Sequence, residues 1–194
     1  RVQYGNPKNG VITEETSMKP EDIQAIHKIT GDYYYSFFSK LKNMDTVSLR
    51  FPNCYGKNQP IFREETGLIS SFIIEALKDK EIIIYGNGRK RNIIFVDDLA
   101  EIIVRISKKD FKRFNVFNVS GNSILIHELA QEIVSLVDKG SIIAGEMPDE
   151  IATIDIGNAK FLDEKLIEFI GEIPLTDLRS SLSHTIKYFK EYQL

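Results

Sequence analysis

PEDIQAIHKITGDYYYSFFSKLKN, residues 20–43, reads as one long helix. Pro20, Glu21 and Asp22 bring a preset φ and two acids to its first turn, where the macrodipole favours negative charge. Ile23, Ile26, Ile29 or Thr30, Tyr33, Phe37 and Leu41 recur at three- and four-residue spacing, an apolar stripe of helical period. Lys40 and Lys42 occupy the last turn, where cations belong. The aromatic run from Tyr33 to Phe38 is too wide for one stripe. One side of the helix is therefore predicted to pack on a sheet and another against a further surface. Lys28, taken alone, is a surface lysine whose stem lies along the apolar stripe.

Around this helix, short β-branched runs alternate with longer amphipathic segments. Strands are predicted over 45–50, 81–85, 93–96, 114–119 and 141–144. Helices are predicted over 67–78, 97–106 with Asp97 as cap, 126–137, 158–170 closed by Gly171, and 175–192. Residues 6–18 and 51–66 read as loops, the first with a turn at Asn9-Gly10, and Gly86-Asn87-Gly88 reads as a hairpin-like turn. The alternation is that of an α/β protein.

The 194 residues are enough for one domain or slightly more, and 42% hydrophobic with 27% charged residues is an ordinary globular composition. A net charge of -3 gives no basic footprint, which argues against nucleic acid as a partner. The single cysteine, Cys54, excludes an internal disulfide and a cysteine-cluster metal site, and points to a reducing, cytoplasmic setting. No His/Asp/Glu cluster has metal-ligand spacing, so no metal is expected. No apolar run reaches the length of a membrane span, so no membrane partner is expected either. His127 and His184 read as partly buried histidines on amphipathic helices. Because the first residue is Arg1 and residues 1–5 read as a strand running into a loop, the chain is expected to start within a larger protein.

Several stretches, in order, resemble the extended short-chain dehydrogenase/reductases, the NAD-dependent nucleotide-sugar epimerases and dehydratases. Tyr4-Gly5 is similar to the end of the family's S-S-x-x-V-Y-G segment, and residues 11–15 (VITEE) to its P-I-x-E loop. Lys28 stands where the lysine of Y-x-x-x-K is found. Residues 49–56 (LRFPNCYG) resemble L-R-x-x-N-x-Y-G, and residues 84–98 (IYGNGRKRNIIFVDD) resemble I-Y-G-D-G-x-x-x-R-D-F-x-Y-V-D-D. Residues 117–121 (FNVSG) resemble Y-N-I-G-G. The resemblance spans nearly the whole chain but only the C-terminal part of the family's domain. It implies the end of an extended Rossmann-like domain over 1–66, and a small α/β substrate-binding subdomain mainly over 67–194, with 96–120 returning to the Rossmann sheet.

What the resemblance implies for function is an NAD- or NADP-dependent epimerase or dehydratase of a nucleotide-diphosphate sugar, working through a keto-sugar as a homodimer. The main cofactor-binding turn would lie outside this sequence, since no G-x-G-x-x-G or P-loop follows a strand, so the chain alone is expected to bind NAD poorly. Lys28 would bind the nicotinamide ribose and serve catalysis. Asn53 and Arg91 would meet the sugar diphosphate, with an amide donor and a planar guanidinium suited to phosphate oxygens. The helix opening at Thr66, Gly67, Leu68 and Ile69 would turn its first amides to the phosphates. Ile84 and Tyr85 would lie beside the nucleotide base, and Asn118 is a further candidate by the same route.

The chain departs from the family pattern at three places. Gln24, not tyrosine, stands four residues before Lys28, and an amide cannot act as a general base. Residues 147–153 (MPDEIAT) lack the second diphosphate arginine often found there, and Asn92 stands in place of an aspartate. Gln24 leaves three readings open. Lys28 with another residue, such as His27 or a carboxylate from the part of the protein outside this sequence, carries the proton; substrate or water relays it; or the step is lost. In the last case the chain is a non-catalytic sugar-nucleotide-binding or interaction protein on the same scaffold.

Overall fold

In the computed structural model, which describes residues 2–7, 10–60, 67–86, 88–149, 152 and 157–192, the long helix α1 runs from Ile23 to Lys42. Pro20 and Glu21 precede it rather than entering its first turn. Asp22 is the N-cap, in extended conformation, and its carboxylate accepts from the Ala25 amide at 2.6 Å. The helix stops at Asn43, which takes the left-handed conformation with φ 51°. Its rotation differs from the apolar-stripe reading. The buried residues are Ala25, Asp32 and Ser39, while Ile23, Ile26, Tyr33, Phe37 and Leu41 are 51–71% exposed. A buried ion pair at Asp32 lies on the inward face, and the apolar stripe is turned out.

The chain divides into two compact units, each assembled from three segments, and the boundary between two of these falls inside one helix. The first unit comprises Arg1–Pro52, Glu101–Gly121 and Asp149–Ile173. It contains a short 3-10 turn (Val2–Tyr4), β1 (Val11–Ile12), α1, and β2 (Thr46–Arg50). Beyond these it holds most of α3 (Val96–Ser107), β6 (Phe114–Asn118), β9 (Lys160–Phe161) and α5 (Glu164–Ile170). β2 and β6 pair in parallel over their whole length, from Thr46 opposite Phe114 to Arg50 opposite Asn118. β1 and β9 form a second parallel pair beside a small core of Tyr4, Ile12 and Phe161. Residues 158–170 are thus a short strand followed by a shorter helix, not one helix. Gly171 ends α5 as expected, with φ 79° and its amide on the Ile167 carbonyl at 2.8 Å.

The second unit comprises Asn53–Ala100, Asn122–Pro148 and Pro174–Leu194. β3 (Asn53–Tyr55) lies inside the stretch read as loop; it pairs in parallel with β5 (Lys90–Phe95), which pairs antiparallel with β7 (Asn122–Leu125). β4 (Glu81–Tyr85) pairs in parallel with β8 (Ser141–Gly145). Gly86 and Gly88, both at positive φ, therefore turn the chain between two separate sheets and close no hairpin; Asn87 lies outside the described residues. α2 (Leu68–Leu77), α4 (Ile126–Val137) and α6 (Leu178–Tyr192) supply the other layer. One core joins them, with Ile73 from α2, Ile82 from β4, Leu129 and Ile133 from α4, and Leu182 and Phe189 from α6 all fully buried.

α3 starts at Val96, so Asp97 and Asp98 sit in its first turn and are not its cap. Asp98 instead accepts from the Thr176 amide at 3.0 Å and the Thr176 hydroxyl at 2.6 Å, tying down the approach to α6. His127 and His184 are exposed rather than partly buried. Among the described residues no helix is long and apolar enough to cross a membrane.

Candidate functional site

In the first unit Lys28 stands on α1 at the rim of an open cavity of about 260 Å³. Gly31 and Tyr35, one and two turns further along, line the same cavity, as do Gln3 and Ser48. Lys28 and Gln24 are both exposed. The one carboxylate on the helix within a turn of the lysine is Asp32, and it is fully engaged elsewhere. It accepts from Arg50 Nε at 3.0 Å and Nη2 at 2.8 Å, from Gln3 Nε2 at 3.0 Å, and from the Ser48 hydroxyl. Asp32 therefore pairs with Arg50 and not with Lys28.

The network continues inward. Arg50 Nη1 donates to the Tyr4 hydroxyl at 2.7 Å, and Tyr4 donates to Asn118 Oδ1 at 2.7 Å. Burial pushes the Tyr4 phenol up against the lowering effect of Arg50. For Arg50, burial works to lower the pKa, but the bonds and charges of Tyr4 and Asp32 outweigh it and leave it raised. Asn118 is fully buried: its backbone amide donates to the Glu14 carboxylate at 2.6 Å, and its side-chain Nδ2 has no hydrogen-bond partner among the described residues.

The second unit brings Asn53 and Arg91 onto one face of a sheet. Asn53 opens β3 in register with Ile93, and Arg91 lies two residues before Ile93 on β5, so all three side chains share a face. Arg91 is only 9% exposed and donates from Nη1 to the Lys90 carbonyl at 2.8 Å. Leu68 is the first residue of α2, whose N-cap, Gly67, offers no side-chain acceptor to the first-turn amides. Thr66 lies outside the described residues, as do residues 150, 151 and 153 of the stretch from 147 to 153. Ile84 and Tyr85 point to opposite faces of β4: Ile84 joins the core, and the half-buried Tyr85 faces outward. Ile84, not Tyr85, lines a cavity of about 340 Å³, with Ile142 in its aliphatic floor and Arg89 and His127 in its wall. Arg89 Nη1 donates to the Tyr85 carbonyl at 3.0 Å.

A family model described as the NAD dependent epimerase/dehydratase family matches residues 2–120, more than half of the chain. The chain belongs to this family. A putative UDP-glucose 4-epimerase of Methanocaldococcus jannaschii is 26% identical over 188 residues, covering 96% of this chain and 59% of that protein. The UDP-glucose 4-epimerase of Mycolicibacterium smegmatis is 24% identical, with 96% and 59% covered. Among solved structures, a UDP-N-acetylglucosamine 4-epimerase from Methanobrevibacter ruminantium, in complex with UDP-N-acetylmuramic acid, superimposes with a TM-score of 0.83 at 25% identity. That match covers 97% of this chain and 60% of that one. The UDP-glucose 4-epimerase of Thermotoga maritima shares the fold, with a TM-score of 0.85 at 23% identity, covering 98% and 60%. The chain thus spans about three fifths of the length of these relatives.

As an epimerase/dehydratase-family chain, it can be tested for fit to the family's dinucleotide. An exposed ammonium at the rim of a cavity, with the neighbouring carboxylate neutralised by Arg50, suits a pair of ribose hydroxyls. Nothing in the sequence suits the cofactor's diphosphate, for which a glycine-rich strand-to-helix turn is needed. Among the described residues no group of three His, Cys, Asp or Glu could hold a metal ion. Sequence reasoning missed the network of Gln3, Tyr4, Asp32, Ser48 and Arg50. Its signal was present: Asp32 falls four residues after Lys28, and Arg50 ends a strand two residues after Ser48, so both polar side chains share a face.

Proposed function

We propose that this chain carries the nucleotide-sugar-binding part, and the ribose-binding lysine, of an NAD(P)-dependent epimerase or dehydratase acting on a nucleotide-diphosphate sugar. The observation that carries the reading is the shared face of Asn53 and Arg91 in the unit that also holds the uncapped start of α2. An amide, a guanidinium and free helix amides together suit a diphosphate. Lys28 would hold the ribose hydroxyls, and NAD, when bound, would supply the hydride acceptor. Gln24 would hydrogen-bond the sugar hydroxyl without taking its proton, since an amide does not titrate. The proton acceptor is then a group other than residue 24.

The test is turnover of UDP-glucose and dTDP-glucose by the full-length protein with NAD, read by product chromatography. Lys28→Ala should lower turnover about a hundredfold or more, and Gln24→Tyr, which puts a phenol one turn from Lys28, should raise it. Unchanged turnover in Lys28→Ala sinks the assignment of Lys28. Tight UDP-sugar binding with no turnover in any variant points instead to the non-catalytic reading that Gln24 favours. The same reading includes a homodimer through the outward face of α1, where Ile23, Tyr33, Phe37 and Leu41 stand exposed. Phe37→Glu should then give a monomer in light scattering.

A further inference from the structure

We infer that Gly145 is a positioning residue for Tyr85, holding its ring flat at the end of β4 so that a planar pyrimidine base can stack on it. The inference rests on the proposed placement of Tyr85 beside the base of a nucleotide-diphosphate sugar. Gly145 is the last residue of β8 and lies in register with Tyr85, so a side chain there would share the tyrosine's face. Nothing in the backbone demands glycine at this position, because Gly145 is absent from the positive-φ residues. The demand comes from its neighbours. A Cβ built on Gly145 would fall 2.5 Å from Ile83 Cγ2, and 2.9 and 3.1 Å from Tyr85 Cε1 and Cδ1. The tyrosine ring therefore lies across the glycine's Cα, in space that any other residue would fill.

The rest of the residue is held as firmly. The Tyr85 carbonyl accepts from Arg89 Nη1 at 3.0 Å. Gly86, the next residue, turns the chain at φ 71°, and a Cβ there would meet Met147 Cε at 3.3 Å. With its main chain clamped and its ring laid over Gly145, Tyr85 continues an apolar ledge with Ile83 and Ile143, which are 43% and 36% exposed. A flat, uncharged ledge of this kind offers a stacking surface to a planar ring. An alanine at 145 would lift the ring and tilt that surface while leaving Asn53, Arg91 and the start of α2 untouched.

The experiment is calorimetric binding of UDP and of inorganic pyrophosphate to the full chain, with Gly145→Ala, Tyr85→Ala and the double variant Gly145→Ala/Ile83→Ala. The double variant removes the closest contact, so it reports on the tyrosine even if the single variant is unstable. Gly145→Ala and the double variant should bind UDP about three- to tenfold more weakly, the range of a lost aromatic contact, and pyrophosphate within about twofold of the parent. Tyr85→Ala should show the same selective loss. If Tyr85→Ala weakens UDP and the Gly145 variants do not, the positioning role is wrong. Equal weakening of UDP and pyrophosphate by Gly145→Ala means a general structural defect and also overturns it. If Tyr85→Ala leaves UDP binding unchanged, the placement of Tyr85 beside the base fails, and the inference fails with it.

Discussion

Replacing Asp32 by asparagine removes one negative charge from the interior of the first unit and changes almost nothing else in shape. Asp32 and Arg50 expose 9% and 4% of their side chains and meet at 2.8 Å. Two guanidinium nitrogens, the Gln3 amide and the Ser48 hydroxyl all donate to this one carboxylate. In the variant, the new amide offers one oxygen to four donors, and its own N–H groups face a buried cation. Breaking a buried pair from one side costs about 3–5 kcal/mol, because the remaining charge stays desolvated. Arg50 keeps its bond to the Tyr4 hydroxyl, which places the expected loss near the low end, at about 3 kcal/mol. Against a typical domain stability of about 5–15 kcal/mol, such a loss is readily measured.

Urea denaturation should show it as a lowered midpoint at unchanged slope, and the shift should be nearly the same at low and high salt, since a buried pair is little screened. Combining Asp32→Leu with Arg50→Met should cost less than the sum of the two single changes by at least about 2 kcal/mol, because no buried charge is left alone. A loss under about 1 kcal/mol for Asp32→Asn, or additivity of the two apolar replacements, would refute the claim that this pair is desolvated and strongly coupled.

Two further outcomes follow from single residues. Tyr55 is 2% exposed, and burial, partly opposed by the Ser181 hydrogen bond and reinforced by Asp98, pushes its phenol up to about 12. Its folded pKa lies above the unfolded value, so the stabilisation is complete below about pH 10 and drains away as pH rises toward 12, by roughly 2–3 kcal/mol. Stability measured between pH 9 and 12 should fall less steeply in Tyr55→Phe than in the parent; identical slopes would contradict the assignment. Gly31 sits in the middle of α1, and a Cβ there would meet nothing within 4 Å. Gly31→Ala should therefore raise the stability of the chain by about 1 kcal/mol in thermal or urea melts, and a loss of stability would show that something occupies that space.

Periodicity and end signals settled most of the elements from the residues alone, because a helix or strand is stabilised first by local geometry and a one-sided apolar pattern. Helix α2, helix α4 and strands β4, β6 and β8 all stand within a few residues of where their apolar spacing puts them. The ordered motifs around Lys28, Asn53, Arg91 and Tyr85 likewise sufficed to identify the family, since each is a short run of neighbouring residues. Which strand pairs with which is a different kind of fact. β4 and β5, joined by a glycine turn, look like a hairpin until their partners are seen to be β8 on one side and β3 and β7 on the other.

Residues 20–43 show the same limit at the level of a single helix. Their spacing established that α1 exists, and that it ends near Asn43. It could not establish which way the helix faces, since a large apolar stripe is ordinarily the buried one. Only the tertiary structure brings Arg50, eighteen residues further on, to Asp32, so that a carboxylate on the inward face of the helix is neutralised and hydrogen-bonded. The stripe is left outside, Lys28 stands at the rim of its cavity, and the ring of Tyr85 is laid over Gly145 by residues sixty positions apart.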